Sequence, residues 1–230
     1  MRHKFLSVPV VLIWLVVAPW AAHADPPWAA EHPTKYLALG DSLAAGYKAI
    51  PVTKGYVYEL YREGAFDTVP HTLFANAAVP GATSAHVLQH QVPQAIEAFR
   101  PDVITLTVGG NDLLRILDGA NPGVVLAEFQ SNLTQIFLAL RTALPTTRIY
   151  VSNLYTVPQI AGADQIVPFF NQIVAGVAAV FGVPVADVYA AFLGRHGLLL
   201  IERQGADPFE VHPTNKGYRE IARAFEAVIK

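Results

Sequence analysis

The stretch DVITLTVGG at residues 102–110 carries apolar or β-branched side chains on both faces of an extended chain. A strand buried on both faces is a central strand of a parallel sheet, covered by helices above and below. Four further apolar runs, at 36–40, 72–76, 147–154 and 183–189, supply its neighbours. Between them lie helical patterns at 56–63, 84–99, 124–144 and 165–181, and a last one at 215–229 closes the chain. Ser84 stands where an N-cap belongs, and Pro145 and Gly182 end their helices. Strands alternating with helices predict an α/β fold with right-handed crossovers. In such a sheet, ligands bind beyond the carboxyl ends of the strands.

The chain has 230 residues, 53% of them hydrophobic, which is enough for one sizeable core. With 16 basic against 18 acidic residues and no long basic run, it lacks the charge pattern of a nucleic-acid binder. There is no cysteine, so disulfides, thiolate metal sites and a cysteine nucleophile are excluded. Arg2, His3 and Lys4 precede an apolar run over 5–20, and Ala22-His23-Ala24 offers an A-x-A cleavage pattern. Residues 1–24 therefore read as a signal peptide, 25–34 as a proline-containing leader and 35–230 as the folded domain. The expected location is secreted or periplasmic, and the lack of cysteine fits bacterial export.

Polar residues collect on four of the predicted loops. Gly40-Asp41-Ser42-Leu43 follows the first strand, and Asn76 to Ser84, with Gly81, follows the second. Gly109-Gly110-Asn111-Asp112 follows the third, and DPFEVHP at 207–213 precedes the last helix. The topology brings them to one edge. A serine hydroxyl is a weak nucleophile and needs a base, which His212 supplies near neutral pH. A carboxylate fixes the tautomer of that base. Backbone N–H groups beside glycine and an asparagine amide are suitable donors for an oxyanion. A phosphate-binding loop would want a lysine, which 40–46 lacks, and the G-x-S-x-G of α/β-hydrolases is absent.

Together these blocks resemble the SGNH subgroup of the GDSL esterases and lipases, over about residue 35 to the C-terminus. The resemblance implies a flavodoxin-like three-layer α/β/α sandwich with a five-stranded parallel sheet. It implies Ser42 as nucleophile and His212 as base. Ser42, Gly81 and Asn111 would form the oxyanion hole. The chain departs from the family at the acid, usually three residues before the histidine, where Phe209 stands here. Asp207 and Glu210 are the candidates. Asp207 is the expected acid, seated beneath the His212 ring, with Phe209 turned inward and Glu210 facing solvent. The implied activity is that of a secreted serine esterase acting through an acyl-enzyme on Ser42. The competing reading is a non-catalytic binding module on the same scaffold.

Several residues carry plainer expectations. His86 and His90, at i and i+4, could share a helix face and bind a metal, although no acidic residue nearby completes a site, so no metal or cofactor is expected. Asp41 is expected to brace its loop, and Trp28, Tyr47, Tyr56, Tyr58 and Tyr61 either to line an acyl pocket or, the favoured reading, to pack. Asn132 in Asn132-Leu133-Thr134 matches a glycosylation sequon inside a helical pattern. Without a long insertion to form a lid, an open, shallow site is expected. It would take short acyl esters, lysophospholipids or acetylated sugars, in a monomer with no nucleic-acid or obligate protein partner.

Overall fold

A computed structural model describes residues 32–68 and 71–229. The expected signal peptide, and Trp28 with it, lie outside the described residues. Five parallel strands form the sheet: β1 (Thr34–Gly40), β2 (Thr72–Asn76), β3 (Val103–Thr107), β4 (Arg148–Ser152) and β5 (Val185–Ala186), in the order β2-β1-β3-β4-β5. This is the doubly wound order in which the strand order reverses between β1 and β3. The fold is the expected α/β three-layer sandwich.

Side-chain alternation along the strands separates two cores. Leu37, Leu39, Ile104, Leu106, Ile149 and Val151 face one side, where they meet the 84–99 helical run, α5 (Pro122–Ala143) and α6 (Ala163–Val180). Tyr36, Ala38, Val103 and Tyr150 face the other, against α1 (Tyr56–Arg62), α7 (Val188–Phe192) and α8 (Asn215–Glu226). Tyr56 stacks on Phe225 with ring centroids 5.1 Å apart, joining α1 to α8. Tyr61 stacks on Phe74, so these two tyrosines pack as expected.

Three elements differ from the sequence reading. The 84–99 run is not a uniform helix: α2 (Ser84–His86) and α3 (Val92–Gln94) are separated and followed by wider π-turns, Val87–Gln91 and Ala95–Phe99. Gly110–Leu117 forms a short helix, α4, beyond the helical runs expected between the strands. The last strand is two residues long, because Asp187 caps α7 by accepting the Ala190 N–H at 3.0 Å and turns the chain out of the sheet.

At the carboxyl end of β1, Gly40 has φ +133°, and a Cβ there would lie 2.1 Å from the Thr107 carbonyl oxygen. Gly81 also has positive φ, +85°, but a Cβ there meets open space. The two should respond differently to the same substitution. Gly40→Ala is expected to cost more than about 3 kcal/mol, strain and backbone collision together, and Gly81→Ala about 1–2 kcal/mol from strain alone. Urea unfolding at unchanged m-value measures both. Equal losses would mean that the close approach at Gly40 is not limiting.

Candidate active site

Ser42 leaves the end of β1 on a tight turn, with Ala45 N–H bonded to the Asp41 carbonyl and Tyr47 N–H to the Ser42 carbonyl. Asp41 is buried, and one carboxylate oxygen accepts the Leu43 N–H and the Thr107 hydroxyl, each at 3.0 Å. Asp41 therefore braces the loop. Burial pushes its carboxyl up to about 6, against the pull of those hydrogen bonds, with the nearby Asp112 charge adding to the rise.

His212 reaches Ser42 from the loop before α8. Its Nε2 lies 2.9 Å from Ser42 Oγ. Its Nδ1 lies 2.5 Å from Glu210 Oε1, and its backbone N–H bonds the same oxygen at 3.0 Å. The loop is held from several sides. Leu200 N–H bonds the His212 carbonyl, Tyr155 OH donates to the Val211 carbonyl at 2.6 Å, and Thr214 caps α8. The Tyr47 ring meets the imidazole edge-on at 4.8 Å, so Tyr47 belongs to the site and not only to the packing. Tyr218 OH fixes the Tyr47 carbonyl from behind.

The expected position of the acid is corrected here. Asp207 is exposed and turned back on its own loop, its carboxylate accepting the Phe209 N–H at 2.9 Å while Glu210 N–H bonds the Asp207 carbonyl. Residues 207–210 thus form a turn, which carries Asp207 away from the imidazole. Phe209 points outward, 76% exposed, and does not anchor the loop. The segment after the turn bends so that the His212 N–H meets the Glu210 side chain. Partial burial opposes the charge on Glu210. The hydrogen bonds from His212, with the His212 and Lys48 charges, outweigh it and hold the carboxyl below the usual glutamate range. Lys48 Nζ stands 3.7 Å from the other carboxylate oxygen.

The oxyanion candidates converge on the same edge. Gly81 sits in the turn closed by Ala82 N–H to the Val79 carbonyl. Asn111, in the first turn of α4, donates one amide hydrogen to the Ala82 carbonyl at 2.9 Å, which leaves the second free to aim elsewhere. Among the described residues, neither the Ser42 nor the Gly81 N–H has an acceptor. The loops are tied to each other: Asn76 donates to the Ala44 carbonyl at 2.8 Å, and buried Asp112 accepts the Ser84 N–H and hydroxyl at 2.9 and 2.7 Å.

Ser42, Gly81, Asn111 and His212 border a cavity of about 360 Å³. Its walls are chiefly apolar, with Leu113 and Leu117 from α4, Leu154, Val157 and Ile160 from the loop after β4, and Val167 from α6. Where a shallow site was expected, the structure has a pocket walled in part by α4 and by residues 154–160.

Sequence reasoning missed three contributors. Asp112 was visible only as a motif member, Tyr155 not at all. Gln91 is buried and bonds both backbone groups of Gly40. The signal for Gln91 was a polar residue in the apolar stripe shared by Val87 and Val92. Other residues fall elsewhere. His86 and His90 share a face with rings 4.7 Å apart, and among the described residues no third ligand forms a metal cluster with them. The Asn132 amide donates to Ser84 Oγ at 3.0 Å.

Residues 38–220 match the GDSL-like Lipase/Acylhydrolase family, and the chain belongs to that family. It is a carboxylic ester hydrolase, which sets the non-catalytic reading aside. It is similar to the spore germination lipase LipC of Bacillus licheniformis, 29% identical over 209 residues that cover 84% of this chain and 95% of that one. Among solved structures it resembles the lipase Lip_vut3 from a goat rumen metagenome. That match has a TM-score of 0.66 and 25% identity, over 84% of this chain and 96% of the other. A catalytic mutant of an acetylxylan esterase from Geobacillus stearothermophilus shares the fold with a TM-score of 0.68 at 19% identity, over 86% and 96% of the two chains.

Proposed function

We propose that this protein is an exported serine esterase that cleaves esters of medium-length acyl chains through an acyl-enzyme on Ser42. The observation that carries the reading is the Ser42–His212–Glu210 chain of hydrogen bonds at the mouth of an apolar cavity. Ser42 Oγ attacks the ester carbonyl while His212 Nε2 takes its proton. Glu210 holds the imidazole by Nδ1 and stabilises its charged form. The Ser42 and Gly81 N–H groups and the Asn111 amide receive the developing oxyanion. His212 then protonates the departing alcohol, and a water repeats the sequence to release the acid. The apolar run over residues 5–20 and the A-x-A pattern at 22–24 support export.

The cavity favours a longer acyl group than the short acyl esters and acetylated sugars expected from the sequence. The cavity, about 360 Å³ with chiefly apolar walls, suits an acyl chain of several carbons. An acetyl group would leave most of it empty. The name of the Bacillus relative, a lipase, agrees with an acyl chain as the group to be bound.

With nitrophenyl esters of rising chain length, kcat/KM is expected to climb roughly two- to fourfold per methylene, as each is buried, and to level off near eight to ten carbons. A maximum at acetate would contradict an acyl pocket. The acid is tested on the best of these esters. Glu210→Gln should lower kcat by roughly 10²–10⁴-fold, because the imidazole loses the partner that sets its tautomer. Asp207→Asn should cost less than about tenfold, since its carboxylate serves only its own turn. The reverse ranking would return the role to Asp207.

A further inference from the structure

We propose that Gln91 is a positioning residue for the nucleophile loop, acting through the backbone of Gly40. The inference rests on the reading of Ser42 as nucleophile. In the sheet, β2 lies along one edge of β1 and ends at Asn76, opposite Ala38. Beyond that point the edge of β1 has no strand partner, although Gly40 still presents an N–H and a carbonyl there. The side chain of Gln91 takes the place of the missing strand. Its Oε1 accepts the Gly40 N–H at 2.7 Å, and its Nε2 donates to the Gly40 carbonyl at 2.8 Å. Val79 N–H adds a second bond to that carbonyl at 3.1 Å.

A primary amide carries an acceptor and a donor on one planar head, so it can answer a peptide's N–H and C=O together without charge. It does so here in a buried setting, where an unpaired partner is costly. Gln91 is 1% exposed. It closes the π-turn Val87–Gln91, and π-turns in helices commonly mark functional positions.

The clamp matters because Asp41 and Ser42 come directly after Gly40, and Ser42 supplies both the attacking oxygen and one oxyanion N–H. Gly40 is at φ +133°, a conformation with no side chain of its own to restrain it. On its other side it is packed against Thr107. Gln91 therefore fixes the peptide that sets the aim of Ser42, and small misplacements of reacting groups cost rate more than binding.

Two variants separate this role from simple support of the fold. Gln91→Met keeps the size and removes both bonds. In protein shown by circular dichroism to be folded, it should lower kcat about 10–100-fold on a nitrophenyl ester while KM changes less than about twofold. Gln91→Glu is read by pH. Ionised, it sets a carboxylate against the Gly40 carbonyl. Protonated, it reproduces the amide, accepting through C=O and donating through O–H, and burial favours that neutral form. The ratio of Gln91→Glu to wild-type kcat should therefore rise severalfold from pH 9 to pH 6, and this remains measurable if the methionine variant does not fold. Wild-type kcat in folded Gln91→Met, or a Gln91→Glu ratio flat with pH, would overturn the proposal. Activity in Ser42→Ala would instead remove the reading on which it rests.

Discussion

The close approach of Gly40 to Thr107 is the constraint on which the site depends. Two parallel strands end side by side with so little room that a Cβ would meet the neighbouring carbonyl at 2.1 Å. Only glycine fits there, and only in a left-handed conformation, so the chain leaves β1 in a fixed direction. Asp41 is thereby driven inward onto the Thr107 hydroxyl, and Ser42 is delivered to the sheet edge. The direction in which the chain leaves β1 toward Ser42 is thus limited by strand packing at Gly40.

Each partner of Ser42 is then held by a buried or half-buried polar bond that crosses between loops. Asn76 joins the second loop to the first, Ser84 and Asp112 join the second to the third, and Tyr218 and Tyr155 secure the Tyr47 and Val211 carbonyls. Such bonds add modestly to stability one by one, yet leaving any partner unpaired in the interior is expensive. The loops can therefore move little relative to one another, which is the arrangement that electrostatic stabilisation of an oxyanion requires. The site also carries a cost, visible in Asp41 and Asp112, whose carboxyls are pushed up by burial near one another.

The strands were legible because parallel sheets leave continuous apolar runs, and 102–110 is the plainest of them. The four loops were legible because topology alone brings them together. Ser42, Gly81, Asn111 and His212, picked out by motif spacing, border one cavity. The features that stayed hidden were decided by local turns and by distant contacts. Asp207 and Glu210 differ by three positions on one loop, and a side chain-to-backbone bond within 207–209 decides which faces His212. The extent of the helix Gly110–Leu117 was not legible, since its first turn is set by the Gly109 conformation and by Asp112 reaching Ser84, 28 residues away. The cavity arose from α4 and the 154–160 loop standing together, which no local pattern encodes. Gln91 was hidden because its partners are backbone atoms 51 residues away.

The central claim is that the acyl group passes onto Ser42 and lies in the apolar cavity. The most direct measurement is rapid acid quench of the enzyme with nitrophenyl octanoate within one turnover, followed by mass spectrometry of the peptides. The account predicts an octanoyl group on the peptide bearing Ser42, formed with a burst of nitrophenol and lost as free acid accumulates. Product formation with no acyl adduct at any time, or an adduct on a peptide without Ser42, would contradict it.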